Sequence, residues 1–240
     1  MSNVRSSPGI IIETTGYGPL IRFFVKNLSD QIQNHHANGL FYEIEELGII
    51  ERHFPRGGSY LDIGSNVGNH LVFVAAARLA GEMIAIEPNP KAIEILRYNL
   101  LLNALTTVDI QHLGLGLSDN SERASVHTLH PNNLGGTEMV ASPEGPIQLD
   151  TGDQLFTKRQ IDFIEMDVEG LEMKVLRGLE QTIAKSRPVM FIEVGNTNRA
   201  DFDQWLAGHN YQTAQAYRRY SSNENFLVRP EEKPLVELAA

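Results

Sequence analysis

The chain has no cysteine among its 240 residues. That absence removes disulfides, thiolate nucleophiles and cysteine-ligated metal sites together. Positive charge is also scarce: 20 Lys and Arg against 30 Asp and Glu leave a formal net charge of −10. A protein that works by gripping a phosphate backbone needs the opposite balance, so no nucleic-acid partner is expected. The basic clusters are mere pairs, Arg218 with Arg219 and Lys158 with Arg159. No window approaches the ~20 apolar residues of a membrane span, so no integral membrane segment is expected. The opening "MSNVRSSPGIIIETTGYGP" holds only a short apolar run, too short for the core of a secretion signal. These absences point to a soluble protein, with the cytoplasm as the simplest compartment. Internal repeats and low-complexity tracts are also lacking.

What is present is ordinary globular composition, 42% hydrophobic and 21% charged. The length suits one sizeable core, or a core with a small appendage. From Ser59 onward, short apolar runs alternate with helical periods. The runs "SYLDI", "EMIAIE", "VDIQHL", "IDFIEMD", "PVMFIEV", "YQTAQAY" and "NENFLVR" read as strands. Between them "VGNHLVFVAAARLA", "NPKAIEILRYNLLLN", "LEMKVLRGLEQTIA" and "ADFDQWLAG" read as helices. Asn89 and Pro90 suit the cap and first position of the second helix. Leu171, Val175, Leu176, Leu179 and Ile183 form one stripe of the third. Phe202, Trp205 and Leu206 read as core. Alternating strands and helices predict an α/β fold, a mostly parallel sheet with helices on both faces.

Two regions break the rhythm. Residues 1–58, with "FFVKNLSDQI" and "LFYEIEELGIIERHF", read as helices or a helix with a small hairpin, forming an N-terminal helical cap or lid ahead of a main domain at 59–240. Residues 120–150 are rich in Gly, Pro, Asn and Ser, and form an insertion long enough to suggest function. A surface hairpin is the plainer alternative.

The most informative stretch is "YLDIGSNVGNH", Tyr60 to His70, at a strand-to-helix junction. Open α/β sheets bind ligands outside the carboxyl ends of their strands. Gly64 permits a tight turn and Gly68 close approach of the helix, while Asn66 and Asn69 are polar and tolerate unusual backbone angles. Amides at the helix start can receive a ligand carboxylate. A dinucleotide fingerprint would carry a glycine where Asn66 stands. Asp62, at the strand end, would repel a pyrophosphate and suits a positively charged ligand such as S-adenosyl-L-methionine. Glu87 ends the next strand, where an acid accepts hydrogen bonds from ribose hydroxyls. His70 reads equally as a ligand contact and as first-turn packing.

The segments "YLDIGSNVGNH", "AIEPNP", "IDFIEMDVEGLEMKVLRG" and "RPVMFIEV", in this order, resemble the FkbM-type family of S-adenosylmethionine-dependent methyltransferases. "FYEIEEL" and "NENFLVRP" extend the resemblance across about Phe41 to Pro230. It implies a class I, Rossmann-like, seven-stranded sheet. It also implies O-methylation of a sugar, glycan or natural-product hydroxyl, with Asp62, Gly64, Asn66, Gly68, Asn69, His70 and Glu87 around the cofactor.

A hydroxyl nucleophile must lose a proton, and a general base adds typically ~10²–10⁴-fold to the rate. Asp167 ends the fourth core strand, Glu169 follows in the turn, and Glu193 ends the neighbouring strand. These three are the expected catalytic acids, with Glu169 the proton acceptor. Glu172 is better explained by the helix dipole. By position, Asp167 and Glu193, with Asn196, also resemble the magnesium ligands of catechol O-methyltransferase, so a divalent metal is left open. His35, His36, His127 and His130 read as solvated loop residues, His130 being the one to test as a substrate contact, and Asn133 to Thr137 as either a turn closing over the cleft or a plain surface turn. Two other functions stay open: an NAD-dependent oxidoreductase, and an inactive cofactor-binding module partnering a glycosyltransferase. N-methylation is a variant of the first reading, and an oligomer is compatible with it.

Overall fold

The structure, a computed structural model, describes residues 8–128 and 132–231. In chain order it contains β1 (Ile10–Thr14), β2 (Ile21–Val25), α1 (Gln31–Ala37), α2 (Ile44–His53), β3 (Ser59–Ile63), α3 (Asn69–Ala76), β4 (Glu82–Ile86) and α4 (Pro90–Leu102). There follow β5 (Leu115–Leu117), β6 (Glu122–Thr128), β7 (Thr137–Ala141), β8 (Ile147–Asp150), α5 (Gly152–Phe156) and β9 (Phe163–Met166). The chain continues through α6 (Glu172–Gly178), α7 (Glu180–Ser186), β10 (Val189–Gly195), α8 (Arg199–His209), β11 (Tyr211–Tyr217) and β12 (Asn223–Pro230).

The central sheet has six strands in the order β11-β12-β10-β9-β3-β4. Pairing is parallel from β4 through β3 and β9 to β10, and antiparallel where β12 joins β10 and β11 joins β12. This mixed sheet corrects the expected seven strands. The segment "VDIQHL" contributes one parallel bridge, Ile84 to Asp109. The reason is local. Asp109 Oδ1 accepts from Gln111 N at 3.1 Å and its Oδ2 from Arg159 Nη2 at 2.6 Å, so a side-chain turn competes with the ladder.

Strand alternation divides the core. Leu61, Ile63, Ile164, Met166 and Ile192 face α6, α7 and α8, whose Leu176, Ile183 and Phe202 complete that layer. Tyr60, Phe163 and Phe191 point the other way, onto Ile49 and Ile50 of α2 and Leu71 and Val74 of α3. Phe202, Trp205 and Leu206 are buried as expected. The helix expected over "LEMKVLRGLEQTIA" is split at Leu179. Gly178 passes so close to Ser118 that a Cβ there would lie 2.0 Å from its carbonyl oxygen. α4 is capped as expected, with Asn89 Oδ1 accepting from Lys91 N at 3.0 Å and Pro90 in the first turn.

Residues ahead of β3 combine a hairpin with helices. β1 and β2 form an antiparallel hairpin that precedes α1 and α2. Ile21 and Phe23 of β2 are buried with Phe41, Leu47 and Phe73. The 120–150 region is also ordered into strands: β7, β6 and β8 pair antiparallel, and β8 continues parallel to β5. Leu134 N donates to Asp30 Oδ2 at 2.8 Å, tying the insertion to the N-terminal segment. His130 lies outside the described residues.

Candidate active site

The turn after β3 is shaped by its glycines. Gly64 has φ +97°, and a Cβ on it would lie 1.8 Å from the Asp167 carbonyl oxygen. Gly68, at φ +86°, would put a Cβ 2.6 Å from Leu96 Cδ1. Asn66 between them takes φ 48°, a left-handed conformation that asparagine tolerates. This conformation aims the Asn66 N–H at Glu87 Oε2, 2.7 Å away, while Asn89 N donates to Oε1 at 2.6 Å. Glu87 thus welds the turn after β3 to the turn after β4. Burial pushes its carboxyl up to about 7, against the pull of those two amides.

Two clefts meet over this turn. One, of about 570 Å³, runs along Glu87 between Ile63, Ile86, Leu117 and Leu149. The other, of about 940 Å³, is polar and holds Glu43, His70, Asp167, Glu169, Glu193 and Asn223. Gly64, Asn66, Gly135, Asp167 and Glu169 line both. The Asn133–Thr137 turn lies against the clefts, and Gln31, Ile32 and Tyr42 from the N-terminal segment wall the second. Tyr42 and Tyr220 close one side, their hydroxyls 2.5 Å apart.

Alternation explains how the acids converge. Asp62 pairs with Glu165 across β3 and β9, on the same face as Tyr60 and Phe163. Asp167 and Glu193 continue that face beyond Glu165 and Phe191. Carboxylate oxygens of Asp167, Glu169 and Glu193 lie within 4.8 Å of one another. Burial, then Asp167, pushes Glu169 up to about 8. Burial and the neighbouring acids also raise Asp167 and Glu193. Asn223 Nδ2 donates to Glu193 Oε1 at 2.6 Å. Three carboxylates so disposed suit any positive charge: a hard metal ion, an ammonium or a sulfonium.

Several expected site residues are placed differently. Asp62 is fully buried beneath the turn and lines neither cleft; Tyr60 Oη donates to its Oδ2 at 3.2 Å. Burial raises its pKa. Asn69 lines the polar cleft, but its amide is spent on the N-terminal segment. Oδ1 accepts from Tyr42 N at 3.1 Å and lies 3.0 Å from His36 Nε2, while Nδ2 donates to Tyr42 O at 3.0 Å. His36 is therefore not a solvated loop residue; it is buried and stacked on Phe23. Asn196 turns to Ser221 and Arg218, and Asn223 stands by Glu193 instead. Glu172 is a structural cap: it accepts from Gly170 N at 2.8 Å and from Asn198 Nδ2.

The residue most clearly missed is Glu43. It precedes α2 with φ 57° and presents its carboxyl to the polar cleft, 3.9 Å from His70 Nε2. Burial holds His70 down at about 4, and burial with Asp167 pushes Glu43 up to about 8. Both shifts favour the neutral forms and weigh against an ion pair here. The signal in the sequence was its place within "FYEIEEL"; no local pattern announces a left-handed residue there. Glu165, buried with Oε2 unpartnered, was readable from the period of "IDFIEMD".

A mixed α/β sheet carrying a glycine turn after one parallel strand and a buried acid after the next has the Rossmann-like methyltransferase plan. The methyltransferase FkbM domain matches residues 62–218, more than half of the chain, and the chain belongs to that family. It is 26% identical over 179 residues to the hexuronic acid methyltransferase AglP of Haloferax volcanii, covering 72% of this chain and 70% of the relative. It is 27% identical over 150 residues to Methyltransferase 1 of Beauveria bassiana, covering 53% and 60%. The crystal structure of methyltransferase FkbM from Methylobacillus flagellatus superposes with a TM-score of 0.52 at 19% identity, over 71% of this chain and 43% of that one. The chain thus spans less than half of that solved protein. Family membership leaves the nicotinamide alternative without support. Among the described residues no helix is long and apolar enough to cross a membrane.

Proposed function

We propose that the protein transfers a methyl group from S-adenosylmethionine to a hydroxyl of a sugar, glycan or natural-product small molecule. The observation that carries this reading is the junction of the two clefts at Gly64, Asn66, Asp167 and Glu169. The cleft along Glu87 fits the cofactor. It offers apolar walls for an adenine and a carboxylate for ribose hydroxyls. A Cβ on Gly116 in its wall would meet Leu149 Cδ2 at 2.5 Å, so glycine there lets Leu149 pack into the wall. Asn66 Oδ1 and Asp167 Oδ1 are buried at the junction without a partner. Bound there, S-adenosylmethionine supplies an electrophilic methyl on a sulfonium.

The chain's own groups do the rest. The polar cleft holds the acceptor beside Glu169, whose carboxylate takes the proton that the hydroxyl loses. A base with a pKa near the working pH balances availability against strength, and about 8 lies in that range. Asp167, whose carboxylate lies within 4.8 Å of that of Glu169, orients the approach. Residues 1–58 and 120–150 act as walls added to a methyltransferase domain at 59–240. The sugar class of acceptor is supported by the name of the Haloferax relative. Titration calorimetry with S-adenosylhomocysteine tests the core of this reading: micromolar-range binding is expected, and none detectable would reject it.

A further inference from the structure

The polar cleft carries one sign of charge. Glu43, Asp167, Glu169 and Glu193 line it, and among the described residues no lysine or arginine does. Arg219, next in sequence to the lining Tyr220, is spent elsewhere: its Nη2 donates to Glu45 Oε2 at 2.5 Å and to Glu46 Oε2 at 2.6 Å. His70 is the one lining residue able to become cationic, and burial keeps it neutral. Asp167 Oδ1 is buried with no partner, and the Glu43 side chain is 14% exposed. Carboxyls so placed either keep their protons or take a positive charge from outside. A bound S-adenosylmethionine brings a sulfonium and an ammonium, and also a carboxylate. Its single net charge does not balance four acids.

Building on the methyl-transfer reading, we propose that the acceptor is a hydroxylated amine, a polyol or sugar whose ammonium lies against Glu43, Glu169 and Glu193. The same wall disfavours a sugar acid, because a ligand carboxylate would add one more acid to a desolvated cleft in which, among the described residues, no lysine or arginine receives it. The chain therefore parts from the hexuronic acid class in the name of its Haloferax relative.

The test uses the full chain saturated with S-adenosylhomocysteine, in EDTA, with glucamine, sorbitol and gluconate as probes that differ at one end. Binding of S-adenosylhomocysteine is measured first; its absence would be a failure of the methyltransferase reading itself. Glucamine is expected to bind about tenfold tighter than sorbitol, and gluconate no better than sorbitol, the differences expected of one partly desolvated charge contact. In Glu43→Gln/Glu193→Gln the preference for glucamine should fall below about twofold, since the attraction is electrostatic. Retained S-adenosylhomocysteine binding shows that this variant is folded, and Glu43→Gln alone serves if it is not. Gluconate binding as well as glucamine, or indistinguishable results for all probes including none binding, would overturn the proposal. So would stronger stabilisation by magnesium alone, without EDTA, than by glucamine, because the wall would then belong to a metal.

Discussion

Gly64 and Asp167 meet backbone to backbone, so closely that a Cβ on Gly64 would sit 1.8 Å from the Asp167 carbonyl oxygen. This contact presses the glycine turn after β3 against the strand end that carries the acids. Gly64→Ala should therefore suffer both a clash and a strained φ. Gly170, at φ +96° with open space around it, isolates the second effect. Gly170→Ala should cost about 1–2 kcal/mol, the ordinary penalty for a side chain at positive φ. Gly64→Ala should cost clearly more, or fail to fold. Urea denaturation of both variants checks this, and equal losses would show that the close approach relaxes freely.

Glu87 holds two amides and faces the apolar cleft, so its replacement acts twice. Glu87→Gln leaves one acceptor facing two N–H donors. S-adenosylhomocysteine affinity should fall by roughly 1–3 kcal/mol, the scale of a lost charge-assisted hydrogen bond, with some loss of thermal stability. Asp62→Asn, beneath the turn and outside both clefts, should change affinity less. Calorimetry on the two variants decides, and the reverse order would return Asp62 to direct contact.

Glu169→Gln keeps shape and hydrogen bonding while removing basicity. Turnover should drop by ~10²-fold or more with S-adenosylhomocysteine affinity nearly intact. In the wild type, the carboxylate form of the free protein grows as pH rises, so kcat/KM should climb with a midpoint near 8. That limb should vanish in the variant. A kcat/KM–pH profile unchanged by the substitution would move the base to Asp167 or Glu193.

The buried acids also predict how stability follows pH. Glu43 titrates at about 8 in the folded protein against an ordinary 4.5, so the folded state holds this proton more tightly than the unfolded one. Its contribution is then complete below the unfolded value and lost as pH rises through about 8. Glu43→Gln cannot ionise, so its Tm should fall less than that of the wild type between about pH 5 and pH 9. Differential scanning calorimetry across that window gives the comparison; parallel profiles would mean that Glu43 has no raised pKa.

Much of the fold was legible because it rests on short-range pattern. Strands such as "SYLDI" and "PVMFIEV" announce themselves by continuous apolar content, as central parallel strands must. Asn89 and Pro90 mark a helix start through local chemistry that the structure repeats. The glycine turn and Glu87 were readable for the same reason: a bend and a strand end are properties of a few adjacent residues. Where long-range contact competed, local pattern gave way. The segment around Asp109 has a strand's composition, yet its carboxylate prefers Gln111 and Arg159. The stripe through Leu179 has a helix's period, yet Gly178 against Ser118 breaks it.

The site divides along the same line. By itself, the sequence determined that acids end successive strands, since side chains two apart share a face of a sheet. Only the tertiary structure decided what surrounds them. It brought Glu43 from the turn before α2, withdrew Asn69 toward Tyr42 and His36, buried Asp62, and left the polar cleft without a lysine or arginine among the described residues. A carboxyl's charge depends on the solvent and neighbours it meets in space, and those neighbours come from segments far apart in the chain.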